Sequence, residues 1–172
     1  MFKCSVQYGY REIMALNELL EKTNRKPSIK ATRISLYLMG ILVIASGVIA
    51  LPGMGLSVSA LIPLLAGAGL LYMGKMYVHF NTKNSLRNIE RTLGTMNFVF
   101  EKKGLEVSDR RNTVVLTYLD FDEFIRYNGM WFLFRNKTKA YILPEDKFYQ
   151  GDPAELPEFI QTMTGKAPTI LK

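Results

Sequence analysis

Apolar positions follow three different patterns along this 172-residue chain. From residue 34 to 74 they are nearly continuous. Ile34 to Leu51 reads ISLYLMGILVIASGVIAL and Leu56 to Gly74 reads LSVSALIPLLAGAGLLYMG, neither with a charge, and only Pro52-Gly53-Met54-Gly55 separates them. As helices each run is about 27–28 Å long, close to the hydrocarbon thickness of a bilayer. A helix satisfies its own backbone hydrogen bonds in lipid, so the pair predicts a membrane-spanning hairpin. Two competing readings fit less well. Soluble cores rarely place two such uncharged runs side by side. A cleaved signal peptide ending near Val48-Ile49-Ala50 would carry a long polar leader and an oversized apolar stretch.

Before the hairpin the period is helical. Residues 2–8 alternate loosely as a short strand, and residues 10–23 place Ile13, Leu16, Leu19 and Leu20 on one helical stripe. Asn24 to Pro27 ends that helix, because Pro27 disfavours helix at Lys26. Beyond the hairpin, Tyr77, Phe80, Leu86, Ile89 and Leu93 continue a helix out of the membrane. From Asn97 the pattern becomes short runs between turn residues: 97–102, 105–109, 112–118, 121–127, 130–135 and 138–143, with Asn128-Gly129 as the strongest hairpin signal. Pro144 lacks an N–H and ends the last of these strands. Asp152-Pro153 opens a final helix with Leu156, Phe159, Ile160 and Met163 on its apolar face, and Gly165 stops it. The expected fold is therefore an α+β membrane protein: a two-helix transmembrane hairpin plus a small antiparallel sheet of about five to seven strands with a C-terminal helix. The expected segments are 1–33, a hairpin over 34–78, a basic juxtamembrane helix over 79–96, and a β-rich domain over 97–172. A lone N-terminal strand would be unstable, so it is expected to join the sheet, or the 10–23 helix to pack on it.

Charge adds orientation. Lys22, Arg25, Lys26, Lys30 and Arg33 precede the first span, and Lys75, Lys83, Arg87 and Arg91 follow the second, with none in the turn. Basic residues stay on the cytoplasmic side, which puts both termini inside a multi-pass plasma-membrane protein. The net charge of +7 is thus concentrated beside the membrane. Anionic lipid headgroups are the expected partners, at about 1 kcal/mol per well-placed cation. Lys30, Arg33, Lys75, His79, Lys83 and Arg87 are the candidate membrane-surface contacts. Nucleic acid is not expected, because the cations are not interleaved with the aromatic residues of the sheet. Gly40 and Gly47 in one span, and Ala60, Gly67 and Gly74 in the other, recur every seven residues and form small-residue stripes suited to close helix packing. That packing would lie within the hairpin, with a protein partner or a second copy as the other occupants.

Catalytic chemistry is sparse. The sequence holds no Gly-rich phosphate loop, no Ser/His/Asp set and no metal-ligand cluster, so no cofactor, metal or catalytic residue is expected. Cys4 is the only cysteine. Asp120, Asp122 and Glu123 form one acidic group, at a strand connection where a solvated turn is the ordinary explanation. Met130 to Phe134 is apolar on both strand faces, and Tyr127, Trp131 and Tyr141 are the candidate interaction surface beside core packing.

Two spans, a basic helical exit and a segment running Asp122-Glu123-Phe124-Ile125-Arg126-Tyr127, Trp131-Phe132-Leu133-Phe134, Ala140-Tyr141-Ile142-Leu143-Pro144 and Phe148 resemble the YcxB-like bacterial membrane proteins. A tryptophan often opens that family's segment; here Tyr118 or Phe121 stands instead. The resemblance implies a pleckstrin-homology-like C-terminal domain and no catalytic residue. The expected function is non-catalytic binding by a membrane-anchored cytoplasmic domain at the inner leaflet. The alternatives are an assembly subunit acting through its hairpin and, less favoured, a membrane enzyme or transporter component. No ionisable residue lies within either apolar run, which speaks against an ion path.

Overall fold

The computed structural model describes residues 1–54, 58–92 and 94–171, with side chains outside the description at 52–60 and 90–92. The chain divides into two compact units, Lys26–Asn81 and a body formed by Met1–Arg25 with Thr82–Lys172. The first division, at 25/26, falls just before the helix that opens at Pro27, and the second, at 81/82, falls inside the long helix Val58–Thr92. Pro27, expected to end one helix, opens the next.

In the body, β1 (Phe2–Val6) leads into α1 (Tyr10–Lys22). The carboxylate of Glu12 accepts from the Gly9 N–H at 2.9 Å, satisfying one open donor at the start of α1. The helix closes with Asn24 at φ 54°, as Asn24 N donates to Glu21 O at 3.1 Å and Arg25 N to Leu20 O at 2.9 Å. The helices of the other unit are α2 (Pro27–Met54) and α3 (Val58–Thr92), the latter ending in the body. Strands β2 (Met96–Glu101), β3 (Gly104–Ser108) and β4 (Thr113–Leu116) follow. After a 3-10 turn at Tyr118–Asp120 come β5 (Glu123–Tyr127), β6 (Met130–Phe134), β7 (Ala140–Pro144) and β8 (Phe148–Gln150), then α4 (Leu156–Thr164) and β9 (Thr169–Ile170).

The strands make two sheets, of order β4-β3-β2-β1-β8 and β7-β6-β5-β9. The N-terminal strand does join the C-terminal sheet: Phe2 pairs with Phe100 and Val6 with Met96. Alternate residues of β1 and β2, from Phe2 and Cys4 to Phe98 and Phe100, enter one core with Phe124, Trp131, Leu133 and Leu143 of the second sheet and Leu156 and Ile160 of α4. The opposite face of the second sheet, through Met130, Phe132 and Phe134, packs on Ile13, Ala15, Leu19 and Leu20 of α1, with Leu86 and Ile89 of α3 beside them. Strand β6 is consequently buried on both faces. Asp152 accepts from Ala154 N at 2.9 Å ahead of α4, and Gly165 ends that helix at φ 70°.

The expected single meander is instead two, four strands and then three, broken at Tyr118–Asp120, where Asp120 accepts from Thr117 N at 2.8 Å and turns the chain. Strands β8 and β9 extend them, and both escaped the sequence pattern because they are too short to show a period. β9 runs parallel to β5 through Ile125–Thr169 and Arg126–Ile170.

Among the described residues two helical stretches are long and apolar enough to cross a membrane: Pro27–Leu51, mean hydropathy 2.4, and Leu61–Ile89, mean hydropathy 1.4, the second running on past Asn81. Helix α2 continues through Pro52, Gly53 and Met54, so the expected turn is shorter than four residues from its N-terminal side; Gly55 and Leu56 lie outside the described residues.

Candidate functional site

The small-residue stripes bring the two hairpin helices into contact. A Cβ added at Gly67 would stand 2.7 Å from Gly40 O and 2.5 Å from Ile44 Cγ1, and one added at Gly40 would stand 2.8 Å from Leu71 Cδ2. Gly47 faces Leu64 and Pro63 at 3.1–3.2 Å, and Gly74 faces the Tyr37 ring at 3.2 Å. Gly67 and Gly40 thus form a backbone-to-backbone crossing that any side chain would open. Ala60 stands in α3 with its side chain outside the described residues. Among the basic positions, Lys30 and Lys75 are exposed in this unit, and Arg33 and His79 are half-buried. Lys83 and Arg87 are exposed in the body.

The expected aromatic surface is corrected in part. Trp131 is fully buried in the core between the sheets, because it alternates inward with Leu133, and so offers no surface. Its Nε1 has no acceptor among the described residues. Tyr127 is half-buried on the α1 side, with Lys22 Nζ 5.1 Å from its ring centre. Tyr141 is half-buried too, edge-on to Phe98 at 5.7 Å and Phe121 at 6.2 Å. The three do not converge on one exposed patch.

The acidic group also disperses. Asp120 caps its turn, and Glu123 pairs with Arg25, whose guanidinium lies 4.3 Å from the Phe134 ring centre. Other acids of the body are engaged similarly. Arg126 reaches Glu145 through two bonds of 2.6 and 3.0 Å, and Arg11 reaches Asp146 at 2.7 Å, which holds the Asp146 carboxyl below its ordinary range. Among the described residues no group of three His, Cys, Asp or Glu side chains could hold a metal ion. Burial pushes the Cys4 thiol up to about 12, well above a reactive thiol. The Tyr8 and Tyr118 hydroxyls are likewise raised by burial, although Tyr8 accepts from Ile142 N at 3.2 Å and Tyr118 donates to Glu101 O at 2.7 Å.

Several concavities lie on the body among the described residues. A groove of about 630 Å³ lies along Tyr10, Met14 and Glu18 of α1, against the Asn128-Gly129 turn. Its wall holds the Arg11–Asp146 pair, so its charges are largely compensated. Another is a cleft at the Arg135–Lys139 loop, where Tyr141 is the one expected surface residue on its wall. Sequence reading passed over Arg135 and Lys139. Their signal was two cations flanking an Asn-Lys turn, indistinguishable from any solvated turn until the loop opposite is known. Compared with known proteins, the chain matches no family model, no curated protein and no solved structure.

Proposed function

We propose that this chain is a membrane-anchored, non-catalytic binding protein. Its hairpin crosses the cell membrane twice, both termini are cytoplasmic, and the two-sheet body serves as the binding part at the inner leaflet. The observation that carries the reading is the exposure of the apolar helices. Only 11% and 17% of their most apolar windows are buried, whereas the core helix of a soluble protein would be mostly covered. Lipid supplies that cover. The flanking cations Lys30, Lys75, Lys83 and Arg87 support the orientation and an anionic headgroup layer as the nearest partner. Four antiparallel strands, then three, then a helix packed into the core between the sheets support reading the body as pleckstrin-homology-like.

Native mass spectrometry of the full chain released from its membrane in mild detergent tests this. Retained anionic phospholipid is expected, and it should fall several-fold when Lys30, Lys75, Lys83 and Arg87 are all replaced by Gln. A chain washed off membranes by alkaline carbonate, or one that retains no anionic lipid, contradicts the reading.

A further inference from the structure

Each sheet of the body has two edge strands, and proteins blunt such edges with charge, proline or brevity. Three of the four edges follow that rule. In the second sheet, β7 follows Lys139 and ends at Pro144, and its Ile142 N–H already donates to the Tyr8 hydroxyl at 3.2 Å, while β9 is two residues long. In the first sheet, β8 is three residues long and follows Lys147. Strand β4 is the exception. Its residues Thr-Val-Val-Leu include no charge and no proline, and Val114 and Val115, on its two faces, are 50% and 65% exposed.

The hydrogen-bond alternation says which groups of β4 are free. Asp109 N donates to Asn112 O at 2.9 Å at the head of the β3–β4 hairpin, and Val107 pairs with Val114 and Leu105 with Leu116. Bonded pairs alternate along an antiparallel ladder, so Val114 and Leu116 bond β3, while Thr113 and Val115 turn N–H and C=O outward. Thr117 faces outward too, but its N–H donates to the Asp120 carboxylate at 2.8 Å. That bond sets the exposed Asp120 carboxylate on the free side of β4. At the other end of the strand, Arg110 and Arg111 are exposed on the β3–β4 turn. Among the described residues neither Arg111 nor Asp120 forms an ion pair. The Asp109 carboxylate on that turn is occupied by Arg111 N and Asn112 N, each at 2.7 Å. Lys102 and Lys103 lie on the β2–β3 turn, on the far side of β3 from this edge.

We infer that β4 is the contact of a symmetric dimer, in which two copies pair their β4 strands antiparallel and join their first sheets into one. The register that uses every free group sets Val114 against Val114 and Thr113 against Val115. The same register brings Arg111 of each copy opposite Thr117 of the other, beside the Asp120 carboxylate held there. A parallel pairing would set the two arginine turns together instead. This complementarity of one strand with itself makes a second copy of the chain the occupant. The Val114 side chains, opposed across a pair without hydrogen bonds, cover each other. A contact through one short strand is small, and confinement of both copies to one membrane raises their effective concentration. In that respect alone the dimer rests on the membrane-anchored reading.

The test is cross-linking of the full chain in isolated membranes by copper phenanthroline, which oxidises cysteines that meet. The native chain, whose Cys4 is fully buried, should stay monomeric. Val114→Cys should give a disulfide-linked dimer, because directly opposed positions of a strand pair lie within disulfide reach. Tyr149→Cys, on the edge of β8 and 62% exposed, should give at least fivefold less. Adding Arg111→Glu to Val114→Cys should lower the dimer at least threefold. Co-expression of that variant with Val114→Cys/Asp120→Lys should restore it as a mixed dimer, since opposite charges then face each other at both ends. Unchanged near-ultraviolet circular dichroism of each variant, reporting on buried Trp131, shows that the fold is kept. Monomer alone from folded Val114→Cys, equal yields at Val114 and Tyr149, no rescue in the mixed pair, or a cross-linked species that contains another protein overturns the inference. Retention of that monomer through alkaline carbonate would then leave the membrane-anchored reading standing.

Discussion

Tyr118 ties two carbonyls together: its hydroxyl reaches Glu101 O at 2.7 Å and Gly104 O at 3.2 Å, holding the β2–β3 turn against the connection between the sheets. Tyr118→Phe should cost about 1–3 kcal/mol in chemical denaturation, because it leaves buried acceptors short of a donor. Tyr118, Tyr8 and Cys4 also set an alkaline limit. Their ordinary values are 10.0, 10.0 and 9.0, and each is raised in the folded chain. A group whose pKa is higher folded than unfolded stabilises fully below the unfolded value and loses that stabilisation as pH rises toward the folded one. The denaturation midpoint should therefore be flat with respect to these groups up to about pH 9 and fall between about pH 9 and 12. A flat profile through that window would contradict the assignment of their burial. At this scale the sequence was legible in part. It marked Trp131 and Tyr141 as notable aromatics but could not tell them apart, since inward and outward positions on β6 and β7 depend on which sheet faces receive a cover. Arg135 was invisible for the same reason: its cleft is made by a loop more than twenty residues away in sequence.

The elements were read more completely, because periodicity is a local property. The stripe Ile13, Leu16, Leu19 and Leu20 predicted a helix that must pack on something, and α1 covers the second sheet. The run Met130 to Phe134, apolar on both sides, required two covers and has them in the inter-sheet core and α1. The glycines of the hairpin make the sharpest element-scale prediction. Gly67→Leu places side-chain atoms where Gly40 O and Ile44 stand, so it should lower the thermal midpoint of the detergent-solubilised chain by several degrees. Gly69, whose added Cβ meets nothing within 4 Å, should accept leucine with little change. Equal effects at the two positions would mean that helix propensity, not the helix crossing, governs the response. The extent of α2 was misread because apolarity and helicity are different signals: the apolar run begins at Ile34, but the helix begins at Pro27, a residue well suited to a first turn.

As a whole, the chain inserts a hairpin between β1-α1 and β2, and its first strand returns to the sheet formed from residues far beyond that insertion. The sequence left that return open, since the short strand could only be unstable alone. Cys4 cannot serve as a reporter of topology: it is fully buried and its thiol is raised to about 12, so it would resist labelling on either side of a membrane. Single introduced cysteines avoid this, with Lys102→Cys on the exposed β2–β3 turn and Met54→Cys at the end of α2. In intact cells a membrane-impermeant maleimide should label Met54→Cys at once and Lys102→Cys only after permeabilisation. Labelling of Lys102→Cys in sealed cells, or protection of both until lysis, would contradict a twice-crossing hairpin with its body inside.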